Sequence, residues 1–250
     1  MSVQSLPWYY TQQIGKAGDT IALAGDEWHH CHHVLRMKPG DQLILTNGKG
    51  SCFESLITGV SEKEGLILLE KDVSSVFPHG RSYKISIGIA PTKNIDRIEF
   101  AVEKLVEIGI DEIAFLQCKH NERSRIRIDR FEKIILAASK QSKKIFFPEL
   151  HDLMTPEMLI KRKKIENAAS AILCCHLDET SRSLFENYPA GSDVMVLVGP
   201  EGGFAPEEIT LMKKMGAAIT KLGPHRLRVE TAAITACNGI HLINEMKSIT

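Results

Sequence analysis

The sequence lacks the features that mark several classes of protein. Its 250 residues include no apolar run of about eighteen residues, the length that a membrane-spanning helix requires. No cleavable signal peptide is recognisable, and the six cysteines show no spacing typical of a disulfide framework. Lys and Arg number 31, and so do Asp and Glu. We therefore expect a cytoplasmic protein with reduced thiols, whose net charge does not by itself predict a polyanionic partner.

The charges are nevertheless unevenly distributed along the chain. Between Lys119 and Lys144, nine Lys or Arg stand against three Asp or Glu, a net charge of +6. We call residues 119–144 the basic segment. Lys161 to Lys164 form a second, shorter basic run. Such clusters favour binding to nucleic acid, although a single basic residue on a helix is more often part of a solvated face.

The sequence up to residue 72 predicts a small β-barrel, because short apolar or alternating runs are separated by turn signals. The runs lie at residues 20–23, 42–46, 52–57 and 65–69. Asn47-Gly48 predicts a hairpin with a type I′ turn, which needs positive φ at both central residues. Only residues 26–37 have a helical pattern in this part, with Asp26 as the predicted N-cap.

From Tyr83 onward, strand-like and helix-like patterns alternate, which predicts an α/β fold with a parallel sheet covered by helices on both faces. The predicted strands are 84–90, 112–117, 171–175, 194–198 and 218–220, and the predicted helices are 96–108, 129–143, 206–215 and 229–243. The stretch 72–81 contains Pro78 and Gly80 and is the predicted boundary. The domains are therefore predicted at 1–72 and 73–250.

Two loops bearing glycine are the most informative feature of the chain. The first, residues 199–204, follows the unbroken apolar run Val194–Val198, which predicts a strand buried on both faces. The second spans residues 222–228. Neither loop has a Lys followed by Ser or Thr, or a G-x-G-x-x-G run, so a phosphate-binding loop is not predicted. Glycines and Pro200 instead favour a tight turn that brings backbone groups close to a flat ligand such as an adenine ring.

These motifs resemble those of the 16S ribosomal RNA uracil N3-methyltransferases (RsmE), a branch of the SPOUT superfamily. The most specific pieces are Gly199-Pro200-Glu201-Gly202-Gly203-Phe204, and Leu222-Gly223 followed by Leu227-Arg228 and Glu230-Thr231-Ala232. Weaker pieces are His33-Val34-Leu35-Arg36 with Gly40-Asp41, Lys104 with Glu107-Ile108-Gly109, and Gln141-Ser142 with Pro148 beyond it. The resemblance runs nearly end to end.

The resemblance implies a fold and an activity. The fold is an N-terminal PUA-like β-barrel that binds RNA and a C-terminal SPOUT domain whose last segment is threaded into a trefoil knot. The activity is transfer of a methyl group from S-adenosylmethionine (SAM) to uracil N3 in 16S ribosomal RNA of the small ribosomal subunit, by a homodimer that needs no metal. The alternatives are a SPOUT methyltransferase that modifies a ribose 2′-oxygen or another base of a different RNA, and a non-catalytic RNA-binding protein.

The resemblance also implies a SAM pocket built from both loops and a third wall near residues 173–177. Its predicted residues are Leu173, His176, Leu197, Val198, Gly199, Pro200, Glu201, Gly202, Gly203, Leu222, Gly223, Leu227, Thr231 and Ala232. Either loop alone could merely close a tight turn, so the prediction depends on their combination.

The candidate catalytic residues are Glu230, Arg228 and Arg125. Uracil N3–H is a weak acid, so its methylation requires that the imide anion form or be stabilised as it forms. Glu230 could accept the proton, or it could be only a first-turn carboxylate favoured by the helix dipole. The predicted RNA-binding residues are His33, Arg36, Lys38, Arg123, Arg125, Arg127, Arg130 and Lys144.

Three positions depart from the family's pattern. Ala205 stands where Ser or Thr is usual, so the helix that begins there should lack its N-cap hydroxyl. Val229 replaces a frequent Thr, and Lys144 stands where an Arg is common, which makes a bidentate phosphate contact at 144 doubtful. The run His29–His33 is not predicted to bind zinc, because no second ligand pair follows it.

Overall fold

The computed structural model describes residues 5–77 and 81–249, which form two compact units. The first unit contains the described residues before Arg81 together with Ser139–Phe147. The second contains Arg81–Ala138 and the chain from Pro148 onward. No sequence pattern indicated that Ser139–Phe147 would pack with the first unit. The predicted domain boundary after residue 72 stays a prediction, and part of the predicted linker lies outside the described residues.

The first unit is built on a five-stranded mixed sheet. Its strands are β1 (Trp8–Tyr10), β2 (Thr20–Ala24), β3 (Gln42–Thr46), β4 (Cys52–Val60) and β5 (Glu64–Asp72). The order is β1-β3-β4-β5-β2, with β1 parallel to β3 and the other pairs antiparallel. Two register shifts in the β4–β5 pair allow the sheet to curve. Tyr9, Trp28, Leu43 and Ile67 are fully or almost fully buried in its core.

The helix and the hairpin of this unit differ in detail from the prediction. Helix α1 (Gly25–His29) continues as one π-helical turn, His30–Val34, and its N-cap is Ala24 rather than Asp26. The helix ends before Met37 because Arg36 adopts φ of 55°. A hairpin does join β3 to β4, but not through a two-residue type I′ turn.

The hairpin loop has five residues, and two separate glycines supply its positive φ angles. Gly48 has φ of 66° and Gly50 has φ of 102°. The Asn47 side-chain oxygen accepts hydrogen bonds from the backbone N–H groups of Lys49 (2.8 Å) and Ser51 (3.1 Å). Asn47 therefore closes the loop through its side chain and does not need a left-handed backbone.

The second unit is a seven-stranded, wholly parallel sheet with helices. In chain order its elements are β6 (Ile85–Ile89), α2 (Ile95–Ile108), β7 (Glu112–Leu116), α3 (Ile128–Gln141, of which the part from Ser139 onward belongs to the first unit), β8 (Glu149–Met154), α4 (Pro156–Glu166), β9 (Ala171–Cys175), β10 (Arg182–Ser183), α5 (Leu184–Asn187), β11 (Val194–Val198), α6 (Pro206–Lys214), β12 (Ala218–Lys221) and α7 (Val229–Ile249). The strand order is β10-β12-β9-β11-β6-β7-β8, and every pair is parallel. The predicted parallel α/β sheet is confirmed.

The sheet has helices packed on both faces. Leu159 of α4 and Met212 of α6 share one hydrophobic cluster with Met195 and Leu197 of β11. Successive residues of a strand point to opposite faces, and α7 packs against β6, β11 and α2. All five residues of β11 are buried, as its apolar run predicted. Threading of the C-terminal segment into a knot stays a prediction from the resemblance.

Candidate methyl-donor cleft and its charged rim

A cleft of about 670 Å³ opens where three neighbouring strands end. Parallel strands present their carboxyl ends at the same edge of a sheet, and β12, β9 and β11 are adjacent there. The residues that follow these strands form the walls. The lining consists of Arg97, Cys175–Leu177, Val198–Phe204, Thr220–Gly223, His225–Val229 and Ala232. Most of this wall is loop, so backbone groups as well as side chains face the cleft.

The first loop, Gly199–Phe204, turns back sharply after β11. The N–H of Gly203 donates a hydrogen bond to the Pro200 carbonyl (2.8 Å), and Gly203 has φ of 76°. A Cβ on Gly199 would lie 2.9 Å from the ring of Phe204, which is buried in the core below. Gly199 and Gly203 therefore each have a steric reason for their place, and the turn leaves backbone atoms at the surface of the cleft.

The second loop, residues 222–228, joins β12 to α7 and is tied to the first loop. Gly223 has φ of 152°. The Arg226 guanidinium donates a hydrogen bond to the main-chain oxygen of Glu201 (2.8 Å). Helix α7 then begins, with the Ala232 N–H bonded to the Arg228 carbonyl (2.8 Å). The two glycine loops thus form one structural feature, as their pairing in the sequence suggested.

The first loop is also held in place by α6 and by the residues that follow β7. Ala205 is the N-cap of α6 and offers no side-chain oxygen, as predicted. Glu208 supplies the other half of a capping box, accepting a hydrogen bond from the Ala205 N–H (2.8 Å) and another from the Lys119 N–H (3.0 Å). The His120 Nδ1 lies 3.1 Å from the Gly203 carbonyl oxygen. The start of the basic segment is therefore fastened to the cleft.

Glu230 lies just outside the lining of the cleft, next to the lining residue Val229. It lies in the first turn of α7, its side chain is 12% exposed, and its Oε2 is buried without a hydrogen-bond partner among the described residues. The Nε of Arg97 lies 3.9 Å from its Oε1. Arg97, in the first turn of α2, did not stand out in the sequence. Its one local signal is a cation near a helix N-terminus, where the helix dipole disfavours positive charge.

One cysteine lies in the wall of the cleft. Burial raises the pKa of the Cys175 thiol to about 12, so the thiol is neutral near pH 7. A thiolate nucleophile is therefore not part of this site. The Asp, Glu, Lys and Arg residues in the lining are Arg97, Glu201, Lys221, Arg226 and Arg228.

Comparison with known proteins identifies the family. The family model described as RNA methyltransferase domain matches residues 79–241, and the one described as RNA methyltransferase PUA domain matches residues 23–70. The chain belongs to the RNA methyltransferase family. The predicted N-terminal PUA-like domain and C-terminal methyltransferase domain are thereby confirmed.

Individual relatives match over nearly the whole chain. The structure of a probable rRNA-methyltransferase from Porphyromonas gingivalis is 37% identical with a TM-score of 0.86, covering 97% of this chain and all of that one. A protein of Legionella pneumophila solved with the cofactor SAM bound is 28% identical with a TM-score of 0.83, covering 95% of this chain and 97% of that one. Ribosomal RNA small subunit methyltransferase E of Mycobacterium bovis is 29% identical, covering 94% of this chain and 91% of that protein.

In this RNA methyltransferase, most residues predicted to bind SAM line the cleft. Those that do are His176, Val198, Gly199, Pro200, Glu201, Gly202, Gly203, Leu222, Gly223, Leu227 and Ala232. Leu173 and Leu197 are buried in the strands beneath it, and Thr231 is exposed on α7. Their assignment as cofactor ligands stays a prediction.

The predicted RNA-binding arginines differ in how they are used. Arg123 donates hydrogen bonds to the carbonyls of Thr92 and Lys93, so its side chain links the basic segment to the residues that precede α2. Arg127 pairs with Asp129 at 2.9 Å, and Arg130 with Glu99 at 2.6 Å.

Other predicted basic residues lie at exposed or partly buried positions. Arg125 and, in the first unit, His33, Arg36 and Lys38 are exposed, while Lys144 is partly buried. Within the described residues no ion pair is recorded for Arg125.

Two further sequence features have structural roles. In the second basic run, Lys161 pairs with Glu157 and Arg162 with Glu166, while Lys163 is buried. In the histidine run, the His32 ring stacks on Trp28 with centroids 5.1 Å apart. Within residues 5–77 and 81–249, no group of three His, Cys, Asp or Glu could hold a metal ion, and no helix is long and apolar enough to cross a membrane.

Proposed function

We propose that this protein transfers the methyl group of SAM to N3 of a uracil in 16S ribosomal RNA of the small subunit. The observation that carries the proposal is the cleft itself, in which two glycine loops leave backbone atoms exposed and beside which Glu230 lies. The names of the curated relatives, ribosomal RNA small subunit methyltransferase E, support the RNA class. The SAM-bound relative from Legionella pneumophila supports the cofactor.

The residues of the cleft fit SAM. Its volume lies within the range of pockets that hold ligands of this size. At Gly203 and Gly223 nothing lies within 4 Å of the place where a Cβ would be, so the loops leave open space beside their backbones. Val198, Leu222 and Leu227 add apolar wall for an adenine ring, and loop N–H and C=O groups can bond its edge. SAM, when bound, supplies a methyl group on a sulfonium.

Glu230 is the side chain best placed to handle the proton of N3. In the proposed step the N3–H proton passes to the Glu230 carboxylate, the N3–methyl bond forms, and the sulfur–methyl bond breaks. Arg228 is exposed in the wall of the cleft, where its positive charge would stabilise the imide as it forms. Methyl transfer at a base requires that the base leave its stack, and an open rim permits this.

Arg125 has a different place in the proposal. It is exposed on the chain between β7 and α3, outside the lining of the cleft, which favours contact with an RNA phosphate rather than with the uracil. Arg127 and Arg130 already have carboxylate partners, so their phosphate contacts would require exchange of an ion pair. Within the PUA-like unit, the exposed His33, Arg36 and Lys38 would supply further contacts to RNA.

The test is methyl transfer from labelled SAM to small ribosomal subunits from cells that lack the enzyme, with the product nucleoside identified by mass spectrometry. N3-methyluridine is the expected product. A 2′-O-methylated nucleoside would favour the alternative SPOUT chemistry. SAM binding without transfer to any RNA would favour a non-catalytic protein.

Two variants test the assigned roles in single turnover. Glu230→Gln should lose most of the rate at saturating SAM while binding SAM normally, since it keeps the shape and removes the base. Arg125→Ala should weaken RNA binding and lower its dependence on salt. Full activity of both variants would defeat these roles, and loss of SAM affinity in Glu230→Gln would make Glu230 part of the pocket instead.

We also propose that the enzyme works as a homodimer in the cytoplasm, where its RNA substrate lies. Phe185 of α5 and Leu242 and Met246 of α7 are exposed large apolar side chains on two helices that pack together. Such a surface favours association. Sedimentation of the full chain and of a Leu242→Glu variant would test this, with a monomeric wild type as the contradicting result.

A further inference from the structure

Arg97 is a cation shared by the two glycine loops. Its Nη1 lies 3.6 Å from Oε1 of Glu201 in the first loop, and its Nε lies 3.9 Å from Oε1 of Glu230 just after the second. Both distances exceed those of good hydrogen bonds, so the attraction is coulombic and the geometry can adjust. A single guanidinium therefore lies within 4 Å of one carboxylate from the first loop and one from the start of α7.

Glu201 is held independently on its other side. The Arg226 guanidinium donates a hydrogen bond to the main-chain oxygen of Glu201 at 2.8 Å. The backbone of the first loop is thus fixed to the second loop without Arg97. A small movement of Arg97 can then change which carboxylate it favours without carrying the loop along.

The Glu230 carboxylate depends on Arg97 for a neighbouring positive charge more than the Glu201 carboxylate does. The Glu230 side chain is largely buried, and its Oε2 has neither solvent nor a hydrogen-bond partner among the described residues. A largely buried carboxylate is costly without a neighbouring cation. Among the described residues, Arg97 is the cation recorded within 4 Å of it. Arg97 is therefore the cation best placed to influence the orientation of the Glu230 carboxylate.

We propose that Arg97 is a positioning residue for the methyl transfer: it holds the Glu230 carboxylate toward the target base and links that orientation to the first loop through Glu201. The inference rests on the proposed function. When Glu230 takes up the N3 proton it becomes neutral, and Glu201 keeps the guanidinium in place. The charge at the rim then stays paired through the step.

A double-mutant cycle on the single-turnover rate tests this role. Arg97→Gln removes the positive charge, whereas Arg97→Lys keeps the charge but lacks the planar guanidinium group. We expect Arg97→Gln to slow transfer by about 100-fold, the scale of a small misplacement of a reacting group, with little change in the Kd for SAM. Arg97→Lys should recover part of the rate. Because Arg97 acts through Glu230, the Arg97→Gln/Glu230→Gln double variant should be no slower than Glu230→Gln alone.

The matched control is Lys104→Gln. Lys104 lies on the same helix, α2, and pairs with Glu103 and Glu107 at 2.8 Å each, outside the lining of the cleft. Its rate and SAM affinity should equal those of the wild type. All variants should first show wild-type circular dichroism.

Three outcomes would overturn the inference. If the double variant loses rate by the product of the two single-variant factors, Arg97 acts independently of Glu230. Equal losses of SAM affinity and rate in Arg97→Gln would mean that it only shapes the cleft. A wild type that binds SAM but methylates no RNA would defeat the proposed function and the inference together, whereas an active wild type with multiplied losses would defeat the inference alone.

Discussion

A buried ionic cluster at the opposite edge of the sheet from the cleft gives a quantitative test of the second unit. Glu112, at the start of β7, has a side chain only 9% exposed. Its Oε2 accepts hydrogen bonds from the Ser86 hydroxyl (2.6 Å) and the Lys163 ammonium (3.2 Å), and His151 Nε2 lies 3.1 Å from its Oε1. Burial by itself would raise the pKa of Glu112, but these three groups outweigh it and lower the pKa to about 2.

The cost of the Glu112→Gln variant follows from this shift. A carboxyl with a pKa of 4.5 in the unfolded chain and about 2 in the folded one stabilises the fold by about 3 kcal/mol near pH 7. The variant also leaves the buried Lys163 ammonium without its carboxylate, and breaking a buried pair in this way costs about 3–5 kcal/mol. We expect a loss of unfolding free energy of about 3 kcal/mol or somewhat more.

The pH dependence has a definite sign. Because the folded pKa lies below the unfolded one, the stabilisation is present above about pH 5 and is lost as the pH falls toward 2. The stability difference between wild type and Glu112→Gln should therefore shrink by about 1 kcal/mol between pH 5 and pH 3.5.

Urea unfolding followed by far-ultraviolet circular dichroism is the suitable assay. Both tryptophans, Trp8 and Trp28, belong to the first unit, so their fluorescence would report on the wrong part of the chain. The control is Glu149→Gln, since Glu149 is 74% exposed and lies 3.7 Å from the same histidine, His151. It should cost about 0.5 kcal/mol or less. Equal stability of the two variants, or a difference that does not change with pH, would refute the reasoning.

Three further predictions concern glycines and a helix cap. Gly203→Ala should cost about 1–2 kcal/mol through left-handed backbone strain alone, because its Cβ would meet open space, and calorimetry should show weaker SAM binding. Gly88→Ala should cost about 1–3 kcal/mol by overpacking, since its Cβ would lie 2.8 Å from Leu159; the urea midpoint should fall while SAM affinity is unchanged. Ala205→Ser should add up to about 1 kcal/mol by completing the capping box with Glu208, and a lower thermal midpoint would contradict this.

Strands whose residues are mostly buried could be predicted closely, and β3, Gln42–Thr46, was predicted to the residue. Ala171–Cys175 and Val194–Val198 were predicted to the residue, because strands buried on both faces are unbroken apolar runs. Edge strands lack this signal. β8, Glu149–Met154, has no fully buried residue, and β10 has only two residues, Arg182 and Ser183. Their pairing is decided by the neighbouring strand rather than by their own sequence.

Helix α4 was missed because its charges suggested a surface run. Thr155 followed by Pro156 is a good start signal, and the Thr155 hydroxyl does accept a hydrogen bond from the Met158 N–H (3.2 Å). The basic run that follows includes a buried residue, Lys163, whose burial could not be seen from the run of charges. A lysine can be buried there only because Glu112 and Ser86, distant in sequence, meet its ammonium. No local pattern carries that information.

The candidate site divides in the same way. Glycine loops could be found from the sequence because the sharp turn, the positive φ and the close approach to a ligand are requirements of consecutive residues. Arg97 and His120 could not be found, because their roles depend on contacts with segments that are distant in the sequence. Arg97 faces both loops, and His120 contacts the Gly203 carbonyl. A charged residue is an ordinary surface residue until the fold brings its partner to it. The residues that shape the cleft are therefore close together in the sequence. The residues that connect its loops to the rest of the fold are brought there by packing. Helix α2 contributes to the site through a residue of this second kind, Arg97.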